Sequence, residues 1–271
     1  MRLDNCILSA TKELEKAGVG SARLDILILL EDILHKERAW VLAHPEVSLT
    51  PMQYNRLNKQ IARRKDHEPL AYIRGFTEFY GRKFKVNKRV LEPRPESEVM
   101  IEFLKSLRLP KTAAIADVGT GSGALGITAA LELHDHSVDL YDIDAAALAV
   151  AKHNCELHEL HLKVGKRDLL RYSHKPYDVI LANLPYVPSD WKINEAAAME
   201  PRIAIFGGKD GLDVYRRLFE QLTHFNWRPR YLFTEALPPQ HAKLNRIAAA
   251  YRFKLLKSRD FIQVFVPSSQ R

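Results

Sequence analysis

From Ala113 onward the chain alternates short apolar runs with helical stretches, and this alternation leaves few folds open. Candidate strands fall at 113–118, 137–142, 161–165, 177–182 and 229–235, with helical stretches near 123–133, 145–157 and 210–224 between them. Strands joined by helical crossovers predict a mainly parallel sheet with helices on both faces, a doubly wound α/β domain. The end of the chain departs from that rule. Runs at 252–257 and 261–266 lie too close for a crossover, so they predict an antiparallel hairpin that completes a seven-stranded sheet.

The first part of the chain shows no strand pattern. Residues 3–17 are amphipathic at helical spacing, and Ser21-Ala22-Arg23-Leu24-Asp25 opens a second helix with Leu24, Leu27, Ile28, Leu30 and Leu34 recurring along it. Thr50, Pro51 and Gln53 read as a capping box with Pro at the first helical position, predicting a third helix to about Lys65. A small helical domain is therefore expected over 1–75. Alternation in Phe76–Gly81 and Phe84–Val86 predicts a hairpin within a linker over 76–95. Pro93-Arg94-Pro95 stiffens the chain, Glu96-Ser97-Glu98 opens a helix with acids at its positive end, and the α/β domain fills 96–271.

The 271 residues are 46% hydrophobic, enough for a substantial core. No uncharged apolar run nears the roughly 20 residues that span a membrane. Cys6 and Cys155 form neither a redox pair nor a disulfide framework and read as free thiols in a reducing cytoplasm. None of the eleven histidines lies in a His-Glu-x-x-His motif, and His153, Cys155, His158 and His161 match no zinc pattern, so no metal is expected. The net charge of +8 favours acidic partners, including transient contact with a ribosome or RNA, without choosing among them.

Two loops carry the chemistry. Gly119-Thr120-Gly121-Ser122-Gly123 leaves the strand ending at Val118 and enters a helix. Glycines allow a tight turn and close approach of a ligand, and N–H groups at the helix start attract a carboxylate such as that of a methionine derivative. Asp142 ends the next strand, where a ribose diol would be bound, with Asp144 as the competing choice and helix capping as its ordinary role. Asp168-Leu169 falls where an adenine edge would lie, although Asp168 reads equally well as a loop acid. A nicotinamide dinucleotide is the rival ligand, but no second redox motif accompanies the turn, and there is no phosphate-loop signature.

The second loop is Asn183-Leu184-Pro185-Tyr186, after the apolar run 177–182. Asn183 Oδ1 and the Leu184 carbonyl can each accept one hydrogen of a planar NH₂ group, Tyr186 can stack on it, and Pro185 stiffens the turn. An amide nitrogen is a poor nucleophile because its lone pair is delocalised. Two acceptors would aim that lone pair at a sulfonium methyl, so catalysis would be positioning plus electrostatics. The two loops together point to methyl transfer onto an amide or exocyclic amine.

These segments resemble the release-factor glutamine methyltransferase family, PrmC/HemK. The resemblance runs from about residue 20 to 236 and includes 68–75, Glu78–Gly81, Val90–Glu98, Glu200-Pro201 and Phe206–Leu212. It implies S-adenosyl-L-methionine as cofactor at Gly119–Gly123, Asp142, Leu169 and Asn183. It also implies a helical domain that grips the substrate protein, and methylation of the Gly-Gly-Gln glutamine of class I peptide-chain release factors at Asn183–Tyr186. Two departures stand out. Leu184 replaces the family's usual Pro, a form also seen in rRNA adenine dimethylases, and Glu235-Ala236-Leu237 lacks a glycine the family tends to place after this Glu. Adenine methylation in RNA or DNA, methylation of a ribosomal-protein glutamine and a non-enzymatic RNA-binding role are the alternatives.

Overall fold

The computed structural model describes residues 1–173 and 175–268, so the last three residues of the expected α/β domain lie outside it. The backbone divides into two compact units, residues 1–76 with 193–199, and residues 77–192 with 200–271.

The first unit is helical: α1 (Leu3–Lys16), α2 (Ala22–Leu34), α3 (Arg38–Ala43), α4 (Pro51–Lys65) and α5 (Leu70–Arg74). Leu3, Leu14, Ile26, Leu29, Leu30, Val41 and Leu57 form its buried centre. The capping box at α4 is present in both directions. Gln53 N–H donates to Thr50 Oγ1, and Thr50 N–H donates to Gln53 Oε1. The Arg63–Lys65 run is largely consumed by ion pairs. Arg63 meets Glu68, Arg64 meets buried Asp25 at 2.7 Å, and Lys65 meets Glu13.

Two strands, β1 (Phe76–Phe79) and β2 (Arg82–Lys85), form a small sheet. It is more than a linker, because Phe79 and Phe84 are buried in the core of the second unit. Then come α6 (Glu98–Lys105), β3 (Ala114–Val118), α7 (Ala124–Glu132), β4 (Ser137–Asp142), α8 (Ala145–Leu157), β5 (Lys163–Lys166) and β6 (Val179–Ala182). They are followed by α9 (Glu195–Ala198), α10 (Arg202–Ile205), α11 (Asp213–Thr223), β7 (Tyr231–Glu235), α12 (His241–Ala250), β8 (Phe253–Arg259) and β9 (Ile262–Pro267).

The large sheet has the order β5-β4-β3-β6-β7-β9-β8. It is parallel from β5 to β7, and β9 pairs antiparallel with both β7 and β8. The expected seven strands and terminal hairpin are therefore present. One apolar layer lies on each face, around Ile180, Tyr215, Phe219 and Phe265 on one side and Ile115, Ile127, Leu140 and Val264 on the other. The order of connection reverses between β3 and β6, which makes their C-terminal ends the switch point of the sheet.

Asn154 of α8 ties the small sheet to the glycine turn. Its side chain accepts from Lys85 N–H and donates to the carbonyls of Lys85 and Ser122, while the residue is fully buried. Replacing it with Ala strands those backbone groups and leaves a void. Asn154→Ala is expected to lower the unfolding free energy by about 2–4 kcal/mol in chemical denaturation. A loss below about 1 kcal/mol would show that the bridge is dispensable.

Candidate active site

Strand register builds the site. Val118 lies beside Tyr141, and Asp117 lies beside Leu181. Carried past the strand ends, these offsets set Asp142, Gly119 and Asn183 in one row along the C-terminal edge of the sheet. A cleft of about 250 Å³ opens there, lined by both loops that the sequence singles out.

The turn after β3 has φ of 73°, 56° and 84° at Gly119, Gly121 and Gly123, a region that side-chain-bearing residues rarely adopt. The three glycines differ in what surrounds them. A Cβ at Gly119 would come within 2.8 Å of Leu184 Cδ2, and one at Gly123 within 2.9 Å of Ile127 Cδ1. A Cβ at Gly121 would meet nothing within 4 Å, because this residue faces open cleft. Gly121 N–H donates to Asp142 Oδ2 and Asp144 N–H to Asp142 Oδ1, both at 2.9 Å. Burial pushes the Asp142 carboxyl up, and those N–H bonds oppose the rise. Asp144 takes the capping role, accepting from Ala146 N–H at the start of α8.

Thr120 and Ser122 are buried in the turn, and Asp117, which opens the Asp117–Gly123 segment in the sequence, organises it from beneath. Asp117 Oδ2 accepts from Thr120 Oγ1 at 2.5 Å and from Gly126 N–H at 2.9 Å. Burial pushes its carboxyl up to about 6; the two hydrogen bonds oppose the rise and negative Asp142 adds to it. Asp168 and Leu169 also line the cleft. Leu169 holds φ 55°, and the Asp168 carboxylate is already engaged by Arg217, whose Nη2 lies 2.5 Å from each oxygen.

The Asn183 loop is held from beneath by one hydroxyl. Tyr215 of α11 is fully buried, and its oxygen accepts from Leu184 N–H at 3.3 Å and Glu235 N–H at 3.1 Å. The same oxygen lies 2.9 Å from the Ala182 carbonyl and 2.6 Å from the Glu235 carbonyl, the two acceptors for its single hydrogen. This accounts for Leu184 in place of Pro. The extra N–H has a partner, and the side chain, 2% exposed, fills the space over Gly119.

A buried carboxylate adjoins the loop. Glu235 ends β7 and is 1% exposed. Ser97 Oγ donates to its Oε2 at 2.6 Å and Tyr186 O–H to its Oε1 at 2.9 Å. Asn183 Nδ2 donates in turn to Ser97 Oγ at 2.8 Å. Burial raises the Glu235 carboxyl, and the Ser97 and Tyr186 hydroxyls counter part of that rise. Burial also raises the Tyr186 phenol, helped by the negative Glu235.

Segment 206–212 clamps the outside of the loop. A Cβ on Gly207 would sit 2.3 Å from the Pro185 carbonyl, and one on Gly211 would sit 2.0 Å from the Tyr186 carbonyl. Gln240 Nε2 donates to the carbonyls of Tyr186 and Asp210, each at 2.8 Å. Arg94, on the segment that delivers Ser97, pairs with Glu200, which is 4% exposed and also accepts from Glu92 N–H at 3.1 Å. Every residue expected at the cofactor or acceptor site thus lies at this cleft or on its loops. Ser97, Tyr215, Glu235 and the Arg94–Glu200 pair are additions. Their only signal in the sequence was membership of the 90–98, 200–201 and 235–237 segments, and Tyr215 had none.

A sheet of this order, with a glycine turn and an acid at its switch point, has the fold of a methyltransferase. Solved structures share it: a methyltransferase from Pyrococcus furiosus has a TM-score of 0.53 at 16% identity, covering 81% of this chain and all of that one. The hMettl16 catalytic domain in complex with MAT2A 3′UTR hairpin 6 has a TM-score of 0.56 at 15% identity, covering 84% and 86%. The PrmC N-terminal domain model matches residues 6–75, and the methyltransferase small domain model matches 95–200. The release factor glutamine methyltransferase of Koribacter versatilis is 38% identical over 82% of this chain and 81% of its own length. The enzyme of that name from Coxiella burnetii is 33% identical over 88% and 87%. The chain belongs to the release factor glutamine methyltransferase family.

Two outcomes test this geometry. The folded state holds the Asp117 proton up to a pH of about 6, against 3.8 for an ordinary aspartate, so the associated stabilisation is complete below that lower value and is lost as pH rises through 6. A rise of that size corresponds to about 3 kcal/mol. Asp117→Asn should therefore gain on the wild type by about 2–3 kcal/mol between acidic and neutral pH in denaturant titrations. A stability difference that stays flat with pH discards the assignment. Tyr215→Phe, which strands two N–H groups and at least one carbonyl, should destabilise by about 3 kcal/mol in thermal or denaturant unfolding.

Proposed function

We propose that this protein transfers a methyl group from S-adenosyl-L-methionine to the side-chain amide nitrogen of the glutamine in the Gly-Gly-Gln loop of class I peptide-chain release factors, acting in the cytoplasm. The observation that carries the reading is the row formed by Asp142, Gly119 and Asn183, because it brings a nucleoside-type cradle and an amide-type acceptor loop to one cleft.

The cleft suits the cofactor. Gly121 has open space where a side chain would stand, and Asp142 is fixed by two backbone N–H groups with lone pairs left for a ribose diol. Gly119–Gly123 would receive the methionine part, and Leu169 with Asp168 the adenine edge. When bound, S-adenosyl-L-methionine supplies an electrophilic methyl on a positively charged sulfur. Asn183 Oδ1 and the Leu184 carbonyl accept the two hydrogens of the substrate NH₂, which turns the nitrogen lone pair away from both oxygens and toward the methyl donor. Tyr186 lies along the flat face of the carboxamide, and its hydroxyl is held by Glu235 so that the ring keeps its place. Pro185 and the Gly207–Gly211 clamp keep the loop from relaxing as the nitrogen becomes pyramidal. The nitrogen–carbon bond would form as the methyl carbon–sulfur bond breaks, its electron pair staying on the sulfur of S-adenosylhomocysteine, and the methylated nitrogen then loses a proton to water. Through these steps the chain's own contribution is orientation and fixed dipoles.

A labelled-methyl assay with purified release factor and, in parallel, ribosomal RNA tests the reading. Label should appear on the release factor and vanish when its Gly-Gly-Gln glutamine is changed to alanine. Label found on RNA alone would end it. Asn183→Ala should cut turnover by about 100-fold or more, the scale of losing one oriented acceptor, while cofactor affinity changes far less. Gly121→Ala should do the opposite, weakening cofactor binding in calorimetry by placing a methyl in the cleft.

A further inference from the structure

We infer that buried Glu235, acting through the Ser97 hydroxyl, is a positioning residue that fixes which end of the Asn183 amide faces the substrate. The inference rests on the reading above and deepens it.

The chain of hydrogen bonds has one direction. An ionised carboxylate only accepts, so Ser97 must give its single hydroxyl hydrogen to Glu235. Ser97 oxygen can then only accept from its other neighbour, so the Asn183 atom facing it must be the NH₂ nitrogen. Asn183 NH₂ also helps hold the Glu235 carboxyl down, as a donor on that side must. Oδ1 is left as the amide atom free for the cleft, the acceptor that a substrate NH₂ requires. Reverse the amide and two NH₂ groups would confront each other. The two ends of an Asn amide have nearly the same shape, so packing alone would not choose between them. The charge two bonds away does. Tyr186 O–H on the other Glu235 oxygen means that one buried anion orders both polar arms of the acceptor loop. The Arg94–Glu200 pair holds the segment on which Ser97 rides.

The test moves the charge along the chain. In Glu235→Gln the new amide keeps an oxygen for Tyr186 and donates to Ser97. Ser97 then donates onward and the Asn183 amide turns over. With the wild type first shown to label a Gly-Gly-Gln peptide, Glu235→Gln should lower kcat/KM about 100-fold, with affinity for S-adenosylhomocysteine and melting temperature nearly unchanged. Adding Asn183→Asp restores an oxygen on both sides of position 183, and Asn183→Asp/Glu235→Gln should recover at least about tenfold over Glu235→Gln. A purely structural Glu235 predicts no such recovery.

Should Glu235→Gln not fold, Ser97→Ala carries the test. It frees the amide to rotate, so kcat/KM should fall about tenfold, and the side-chain NH₂ resonances of Asn183 in the ligand-free protein should shift and exchange faster. Wild-type turnover in Glu235→Gln, a double variant no better than Glu235→Gln, or unmoved Asn183 resonances in Ser97→Ala would each overturn the inference. A wild type that labels no Gly-Gly-Gln peptide would instead defeat the proposed function, while the resonance measurement would still report on the amide.

Discussion

One phenolic oxygen holds the catalytic end of the sheet together. β6 and β7 run parallel as far as Ala182 and Thr234, and beyond that point their backbones would carry unpaired N–H and C=O groups into a dry interior. Tyr215 supplies the missing partner for both strands at once. Without it, the loop that leaves β6 and the end of β7 would each bury backbone N–H and C=O groups with no partner. With it, Asn183 and Glu235 leave the sheet from fixed points. Everything proposed about the acceptor depends on those two points.

The site is layered by charge. Asp117, Asp142 and Glu235 are three buried or nearly buried carboxylates within one sheet edge, and each is matched by neutral donors from backbone or hydroxyl groups rather than by a cation. Neutral donors hold each carboxylate in place without cancelling its charge, as a salt bridge would. Arg94 lies close by but is spoken for by Glu200 and Glu92. Arg217, which also lines the cleft, pairs with Asp168, and on α4 Arg63, Arg64 and Lys65 are tied into ion pairs of their own.

Much of this was legible in the sequence, and the reasons are local. The central strands announced themselves as apolar runs bounded by turns, whereas β5, Lys163–Lys166, is exposed or half-buried along its length, and the α4 cap lay within four consecutive residues. The glycine turn and the Asn183 loop each follow directly on a strand, so register alone brings them together. Other features had no local sign. α12 buries only Leu244 and Ala248, too few to give a period. Ser97, Tyr215 and Glu235 come from a 3₁₀ turn, a helix face and a strand end far apart in the chain, and each reads in isolation as an ordinary residue of its element. The Phe206–Leu212 segment could be seen to be distinctive, yet its purpose, glycine backbone pressed against the Pro185 and Tyr186 carbonyls, exists only in three dimensions.

Leu184 resting on Gly119 has a broader consequence. The donor turn and the acceptor loop abut through a single aliphatic side chain, so its girth works as a feeler gauge between the two halves of the reaction. Neither half can drift without the other, and because the positive φ at Gly119 keeps that residue a glycine, the side chain at 184 alone sets the spacing.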